Sequence, residues 1–127
     1  MNILVIGAGE VGFHLAKFLS KEDHRVTLVD PDAKAIGRAS RQLDVQTVAG
    51  SGCDASVLKR GGIENADLLV AVTAIDEVNM LASLVGKRLG AARTVVRVHA
   101  EGSLLDHQYF YKDTLGFDLT ISPDEMA

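Results

Sequence analysis

Apolar residues along this chain follow two alternating rhythms. Six short runs are apolar or nearly so: residues 3–6, 25–29 (RVTLV), 45–49 (VQTVA), 67–72 (DLLVAV), 93–98 (RTVVRV) and 117–121 (FDLTI). Each is too short for a helix and rich in branched side chains, which predicts strands buried on both faces. Between them, apolar positions recur every three or four residues, which predicts helices over 10–21, 32–43, 54–58, 76–89 and 103–114. The ends carry matching punctuation: Pro31-Asp32 and Asp54 start the second and third helices, and Gly61-Gly62 and Gly90 close the third and fourth. Strands alternating with helices, without an internal repeat or low-complexity linker, predict an α/β fold. The expected architecture is a doubly wound parallel six-stranded sheet, Rossmann-like, in the order 3-2-1-4-5-6. The run 67–72 is the most completely apolar and belongs near the middle of the sheet.

Two helices deserve separate notice. In 76–89 the apolar positions Val78, Met80, Leu81, Leu84, Val85 and Leu89 cover more than one stripe, so the surface beyond the sheet-packing face is either deep core or a subunit contact. The helix over 103–114 is expected to be amphipathic through Leu104, Leu105, Tyr109 and Phe110.

The chemistry begins where the first strand meets Gly7-Ala8-Gly9-Glu10-Val11-Gly12, a G-x-G-x-x-G spacing between strand and helix. In that context Gly7 permits a tight turn, Gly9 lets backbone approach a pyrophosphate, and Gly12 lets the helix pack closely on the strand. Phosphates would sit at the helix N-terminus, where unpaired N–H groups and the helix dipole favour an anion. The second strand ends in Asp30, eighteen residues after Gly12 and close to the roughly twenty expected of an acid that binds a ribose diol. A carboxylate there accepts from two hydroxyls and repels a 2′-phosphate. The expected ligand has an unphosphorylated adenosine ribose, as in NAD, ATP or ADP, with NADP disfavoured.

Composition narrows the field further. At 127 residues the chain suits one domain; hydrophobic residues make up 47% and aromatic residues only 5%, as expected of a parallel sheet built from Val, Leu, Ile and Ala. Net charge is −4 with 13 scattered basic residues, which gives no support to a nucleic-acid surface. The single cysteine, Cys53, cannot form an internal disulfide and suits a reducing cytosol. No apolar run approaches the roughly twenty residues of a spanning helix, so any membrane role is expected to run through a partner.

Catalytic machinery is hard to find. His14, His24, His99 and His107 form no i, i+4 pair, and neither H-E-x-x-H nor G-x-S-x-G occurs. His99, after the fifth strand, is the one histidine at the expected ligand edge; it contacts ligand or is a solvated loop residue. Cys53 falls at the expected start of the third helix, where a thiolate is favoured, or is simply a small residue beside the groove. Gly86-Lys87 lies in a helix without the glycine loop of a Walker motif, so nucleotide hydrolysis has no visible machinery.

Three stretches, GAGEVGFHLAKFL, GSGCDASVLKRGGIENADLLVAVTAIDEVNMLASLVGKRLGA and LGFDLTISP, together resemble the Trk potassium-uptake regulatory proteins in their N-terminal nucleotide-binding domain, called RCK or KTN. The resemblance covers nearly the whole chain, and its middle stretch is far more specific than the glycine motif shared with dehydrogenases. It implies a cytoplasmic domain at the inner face of the membrane, assembled as a homo-dimer or higher ring on a Trk-type membrane potassium transporter or channel subunit. It further implies a non-enzymatic role, sensing NAD (NAD⁺ or NADH) or ATP/ADP. Carried over, Gly7, Ala8, Gly9, Glu10, Val11 and Gly12 would hold phosphates and Asp30 the adenosine ribose. Ser51 and Gly52 would border the adenine; Thr73, Ala74, Asp76 and Asn79 would face the distal phosphates or second nucleoside; Arg97 would reach a phosphate. The helices from Asp76 and Ser103 would form subunit contacts.

Two departures matter. The family often has Asp or Asn where Ser51 stands, which weakens an adenine contact. Some relatives carry Arg where this chain has Glu10, and an acid there would repel a third phosphate, favouring NAD over ATP. The final Asp124-Glu125-Met126-Ala127 reads as the start of a further segment, so residues 1–127 are expected to be one domain of a longer protein. Two alternatives stand beside the regulator: the cofactor half of an NAD-dependent oxidoreductase, which would continue into a substrate domain, and a Rossmann-like protein with an altered pocket and another task.

Overall fold

A computed structural model describes residues 1–99 and 102–122; the run from Asp124 read above as a continuation lies outside the described residues. β1 (Asn2–Ile6) occupies the centre, with β2 (Arg25–Asp30) parallel on one side and β4 (Leu68–Ala71) parallel on the other. β3 (Gln46–Ala49) extends the sheet beyond β2, and β5 (Arg93–Arg97) and β6 (Leu119–Ile121) extend it beyond β4. The resulting order is 3-2-1-4-5-6, all parallel, as expected from the alternation of elements.

Period-two alternation in β1 divides the core. Ile3 and Val5 point to the layer of α1 (Glu10–Lys21) and α2 (Ala33–Gln42), where they meet Phe13, Ala16, Val26, Leu28 and Ala39. Leu4 and Ile6 point to the layer of α3 (Ala55–Arg60) and α4 (Asp76–Leu89), against Leu58, Ile63, Leu69 and Ala82. A third cluster, Met80, Val96, Val98 and Phe117, lies beneath the last two helices. Among the described residues no helix is long and apolar enough to cross a membrane.

Two expectations change in detail, and one open alternative narrows. The helix expected over 103–114 is two segments, α5 (Ser103–Asp106) and α6 (Gln108–Leu115). The division falls at His107, whose ring Nδ1 lies 2.9 Å from the Ser103 carbonyl beside the ordinary i−4 bond of its backbone N–H (3.0 Å). Leu104, Tyr111 and Leu115 recur at helical spacing on one face and pack inward with Leu105, while Tyr109 and Phe110 fall on the other face and are exposed. β6 begins at Leu119 rather than Phe117, because Phe117 is a core plug and the Asp118 N–H donates to the Thr94 carbonyl. α4 buries Met80 and Ala82 and turns Leu81 to solvent, so its apolar surface exceeds what the sheet covers.

Candidate functional site

The carboxyl ends of β1 to β4 converge on one edge, and the loops that leave them form a groove of about 290 Å³. At the end of β1, Gly7 turns with φ +109° and donates its N–H to the Val29 carbonyl at 2.8 Å. α1 starts after Gly9, which has extended backbone and no capping side chain, and its first interior bond runs from Phe13 N to Gly9 O. The amides of the first helical turn are the positions that an α-helix leaves without an internal partner, and that turn begins three residues after the groove-lining Gly7.

The glycines of this loop do different jobs. A Cβ on Gly12 would lie 1.6 Å from the Gly7 carbonyl oxygen, so α1 seats on β1 only with glycine there. A Cβ on Gly9 would meet no protein atom within 4 Å, and φ −70° suits any residue. Nothing in the folded chain requires glycine at position 9. The bare backbone there fits a ligand that comes into contact with it, as a pyrophosphate does.

Asp30 closes β2. Its Oδ2 accepts from the Ala8 N–H (2.8 Å) and its Oδ1 from the Asp32 N–H (2.7 Å), so the carboxylate is locked onto the glycine loop. Each oxygen keeps a second lone pair, enough to accept from a diol. Ser51 and Gly52 line the groove from the end of β3. The Ser51 Oγ accepts from the Cys53 N–H at 3.1 Å, which leaves its own O–H to donate.

Cys53 departs from one expectation. α3 begins at Ala55 under a cap by Asp54, so Cys53 stands before the first turn, with Sγ donating to the Val78 carbonyl at 3.6 Å. Burial pushes its thiol up from the ordinary value, against a weaker opposing hydrogen bond with Ser51, so a favoured thiolate is excluded. Asp54 goes the other way: hydrogen bonds from the Ser56 hydroxyl and N–H hold its carboxyl below the usual range.

The far wall is the loop after β4. Thr73 and Ala74 line the groove, joined by Ile75 and Val78, which sequence reasoning did not name as site residues. Their only signal was apolarity next to the loop, which fits core equally well. Asn79 does not face the groove as expected. It is fully buried; its Oδ1 accepts from the Thr73 N–H (2.9 Å) and hydroxyl (2.6 Å), and its Nδ2 donates to the carbonyls of Thr73 and Arg97 (3.0 Å each). With both acceptor and both donor positions used, it holds the loop rather than a ligand. Arg97 donates from Nη1 to the same Thr73 carbonyl at 3.3 Å. Asp76, the first residue of α4, takes two bonds from His99.

The structure thus gathers Gly7, Asp30, Ser51, Gly52, Thr73 and Ala74 around one groove. Gly9 and Glu10 are exposed and not among its lining residues, Ala8 is buried against Asp30, and Val11 and Gly12 lie within the first turn of α1. A larger depression of about 440 Å³, at the amino-terminal ends of β1 to β3, is lined by Asn2, His24, Arg25 and Gln46 among others. It holds none of the predicted residues and lies at the edge opposite to the one where open α/β sheets bind ligands.

Fold and groove together define a Rossmann-like domain of the dinucleotide-binding class. Residues 3–123 match the TrkA-N domain, and the chain belongs to that family. It is 40% identical, over its whole length, to the Trk system potassium uptake protein TrkA of Halomonas elongata, of which it spans 28%. Among solved structures, the TrkA-N domain of inner membrane protein YbaL from Escherichia coli superposes with a TM-score of 0.84 at 15% identity, covering 98% of this chain and 89% of that one. The GsuK channel bound to NAD superposes with a TM-score of 0.78 at 19% identity, covering 94% of this chain and 21% of the channel.

Proposed function

We propose that this chain is the nucleotide-binding regulatory module of a Trk-type potassium-uptake system, with NAD(H) as its ligand and ADP or ATP as competitors. The single observation that carries the reading is Gly9, a bare backbone position that no protein atom requires. The amides around it and the N-terminus of α1 would hold the pyrophosphate, and the locked Asp30 carboxylate the adenosine ribose diol. Ser51 and Gly52 would flank the base. Thr73 and Ala74 would bound the distal half, set in place by Asn79 and Arg97. Glu10, 90% exposed at the mouth of the α1 amides, disfavours a third phosphate and so favours NAD(H) over ATP.

The role is regulatory rather than enzymatic. Relatives near 40% identity carry transport names, and Thr73 and Asn79 on the far wall are engaged in holding their own loop. Ligand would act by binding two arrangements of the assembly unequally, since equal affinity shifts nothing. The uncovered Leu81 of α4 and Tyr109 and Phe110 of α6 are the surface through which copies would assemble as a dimer or ring, on the cytoplasmic face of a membrane potassium transporter.

Calorimetric titration of the purified chain with NAD⁺, NADH, NADP⁺, ATP and ADP, beside Asp30→Ala, tests this. Binding of NAD(H), rejection of NADP⁺ and loss of binding in the variant are expected. No binding of any nucleotide would overturn the reading.

A further inference from the structure

On the far side of the groove most polar groups are already engaged. Thr73 has its N–H, hydroxyl and carbonyl tied to Asn79, and Asn79 has no position left. His99 is different. Its backbone N–H donates to Asp76 Oδ2 at 3.2 Å, and its ring Nδ1 lies 2.8 Å from Asp76 Oδ1. An ionised carboxylate only accepts, so Nδ1 carries the proton and, in the neutral ring, Nε2 is a lone-pair acceptor. The Asp76 side chain is 12% exposed and the imidazole 42% exposed, a part-buried anchor holding a ring that reaches solvent.

Both residues stand at the ligand edge. Asp76 follows the groove-lining Ile75, and His99 lies just past Arg97, whose guanidinium grips the Thr73 carbonyl. β1 and β4 separate β5 from β2, the strand of Asp30. Three strand spacings therefore set His99 about 14 Å from Asp30 along the edge. A ligand with its adenosine at Asp30 approaches His99 only with its opposite half.

We infer that His99 Nε2, oriented by Asp76, is a specificity-determining group for the second nucleoside of a dinucleotide, accepting there from a ribose hydroxyl or a carboxamide N–H. This rests on the nucleotide reading above and deepens it. At the same place a mononucleotide di- or triphosphate offers phosphate oxygens, which are acceptors, and two acceptors do not pair. The site accordingly takes NAD(H) in preference to ADP or ATP.

The test uses NADH and AMP, the second lacking everything beyond the first phosphate, on wild type, His99→Asn and His99→Gln. Asparagine sets an amide N–H near the place of Nδ1, keeping the Asp76 bond and losing Nε2; glutamine reaches toward the place of Nε2. The expected result is an NADH affinity about five-fold lower in His99→Asn, the loss of one neutral hydrogen bond, with AMP affinity unchanged. Partial recovery in His99→Gln is expected too. Unchanged AMP affinity also reports that each variant is folded. Wild-type NADH affinity in His99→Asn, or an equal loss of NADH and AMP, would overturn the inference while leaving the nucleotide reading in place. A wild type that binds neither ligand would overturn both.

Discussion

Gly9, before α1, and Gly12, in its first turn, stand three residues apart, and replacement by alanine should separate binding from folding. At Gly12 the added methyl falls 1.6 Å from the Gly7 oxygen and 2.7 Å from its carbon. Relief requires α1 to lift from β1 by more than an ångström, pulling Phe13 and Ala16 out of the core they fill. Overpacking of this kind costs about 3 kcal/mol or more. At roughly 4 °C per kcal/mol for a chain of this size, Gly12→Ala should melt about 12 °C or more below wild type.

Gly9→Ala meets open space at an allowed φ. The smaller unfolded-state entropy of alanine gives about 0.4–1 kcal/mol, and the poorer cap removes a similar amount, so the fold should be unchanged to about 1 kcal/mol. Binding should not be. The methyl keeps a pyrophosphate from the loop amides, and losing two hydrogen bonds to a charged group, at about 1.5 kcal/mol each, lowers affinity roughly 100-fold. Thermal melts and calorimetric NADH titration read the two effects separately. NADH affinity in Gly9→Ala within about three-fold of wild type would refute the reasoning, since that loss is tied to the methyl alone.

Two further predictions concern the frame of the domain, one beside the groove and one at the opposite edge of the sheet. Asn79→Ala strands the Thr73 and Arg97 backbone groups it pairs, and urea unfolding should show a loss of about 3 kcal/mol; a loss under 1 kcal/mol would contradict the clamp. Asp118 joins α4 to the approach of β6: its Oδ2 accepts from Lys87 Nζ and the Thr94 N–H, both at 2.8 Å. Burial raises its carboxyl, but these bonds and the charges of Lys87 and Arg93 outweigh burial and hold it below the usual range. A depressed folded value means that its stabilisation is present above the unfolded value of about 3.9 and is lost as pH falls through the folded value. Asp118→Asn should thus be less stable than wild type at pH 7, by no more than about 1 kcal/mol for a pair one-third exposed, with the gap closing below about pH 4. A gap that persists at pH 2 would assign the effect to shape rather than charge.

Strand order and the glycine turn were legible in the sequence because both depend on local signals. A run such as DLLVAV is buried on both faces wherever a parallel sheet places it, and G-x-G-x-x-G between strand and helix specifies its own turn. The break at His107 was not legible. Periodicity over 103–114 is equally consistent with one helix, and where it divides a side chain is turned back on the Ser103 carbonyl. Nor was the inward face legible, because Tyr109 and Phe110 offer an apolar surface that competes with the Leu104, Tyr111 and Leu115 face that packs.

Within the groove the same division separates residues that offer backbone from residues that offer side chains. Gly7, Gly9 and Asp30 could be placed because strand ends of a parallel sheet lie at one edge whatever their neighbours do. Asn79, Arg97, Asp76 and His99 could be placed at that edge, but their hydrogen-bond partners could not be read, because those partners lie 6, 24 and 23 residues away and the pairing depends on how two loops close over β4 and β5. Asn79 and Asp76 share α4 and were expected to share a task. The first is turned inward with every hydrogen-bonding position used, and the second anchors a ring that reaches solvent. Residue type and spacing are the same signal in both cases. Whether a side chain's polar capacity is used up inside the protein decides which of the two can read a ligand, and only three-dimensional geometry shows that.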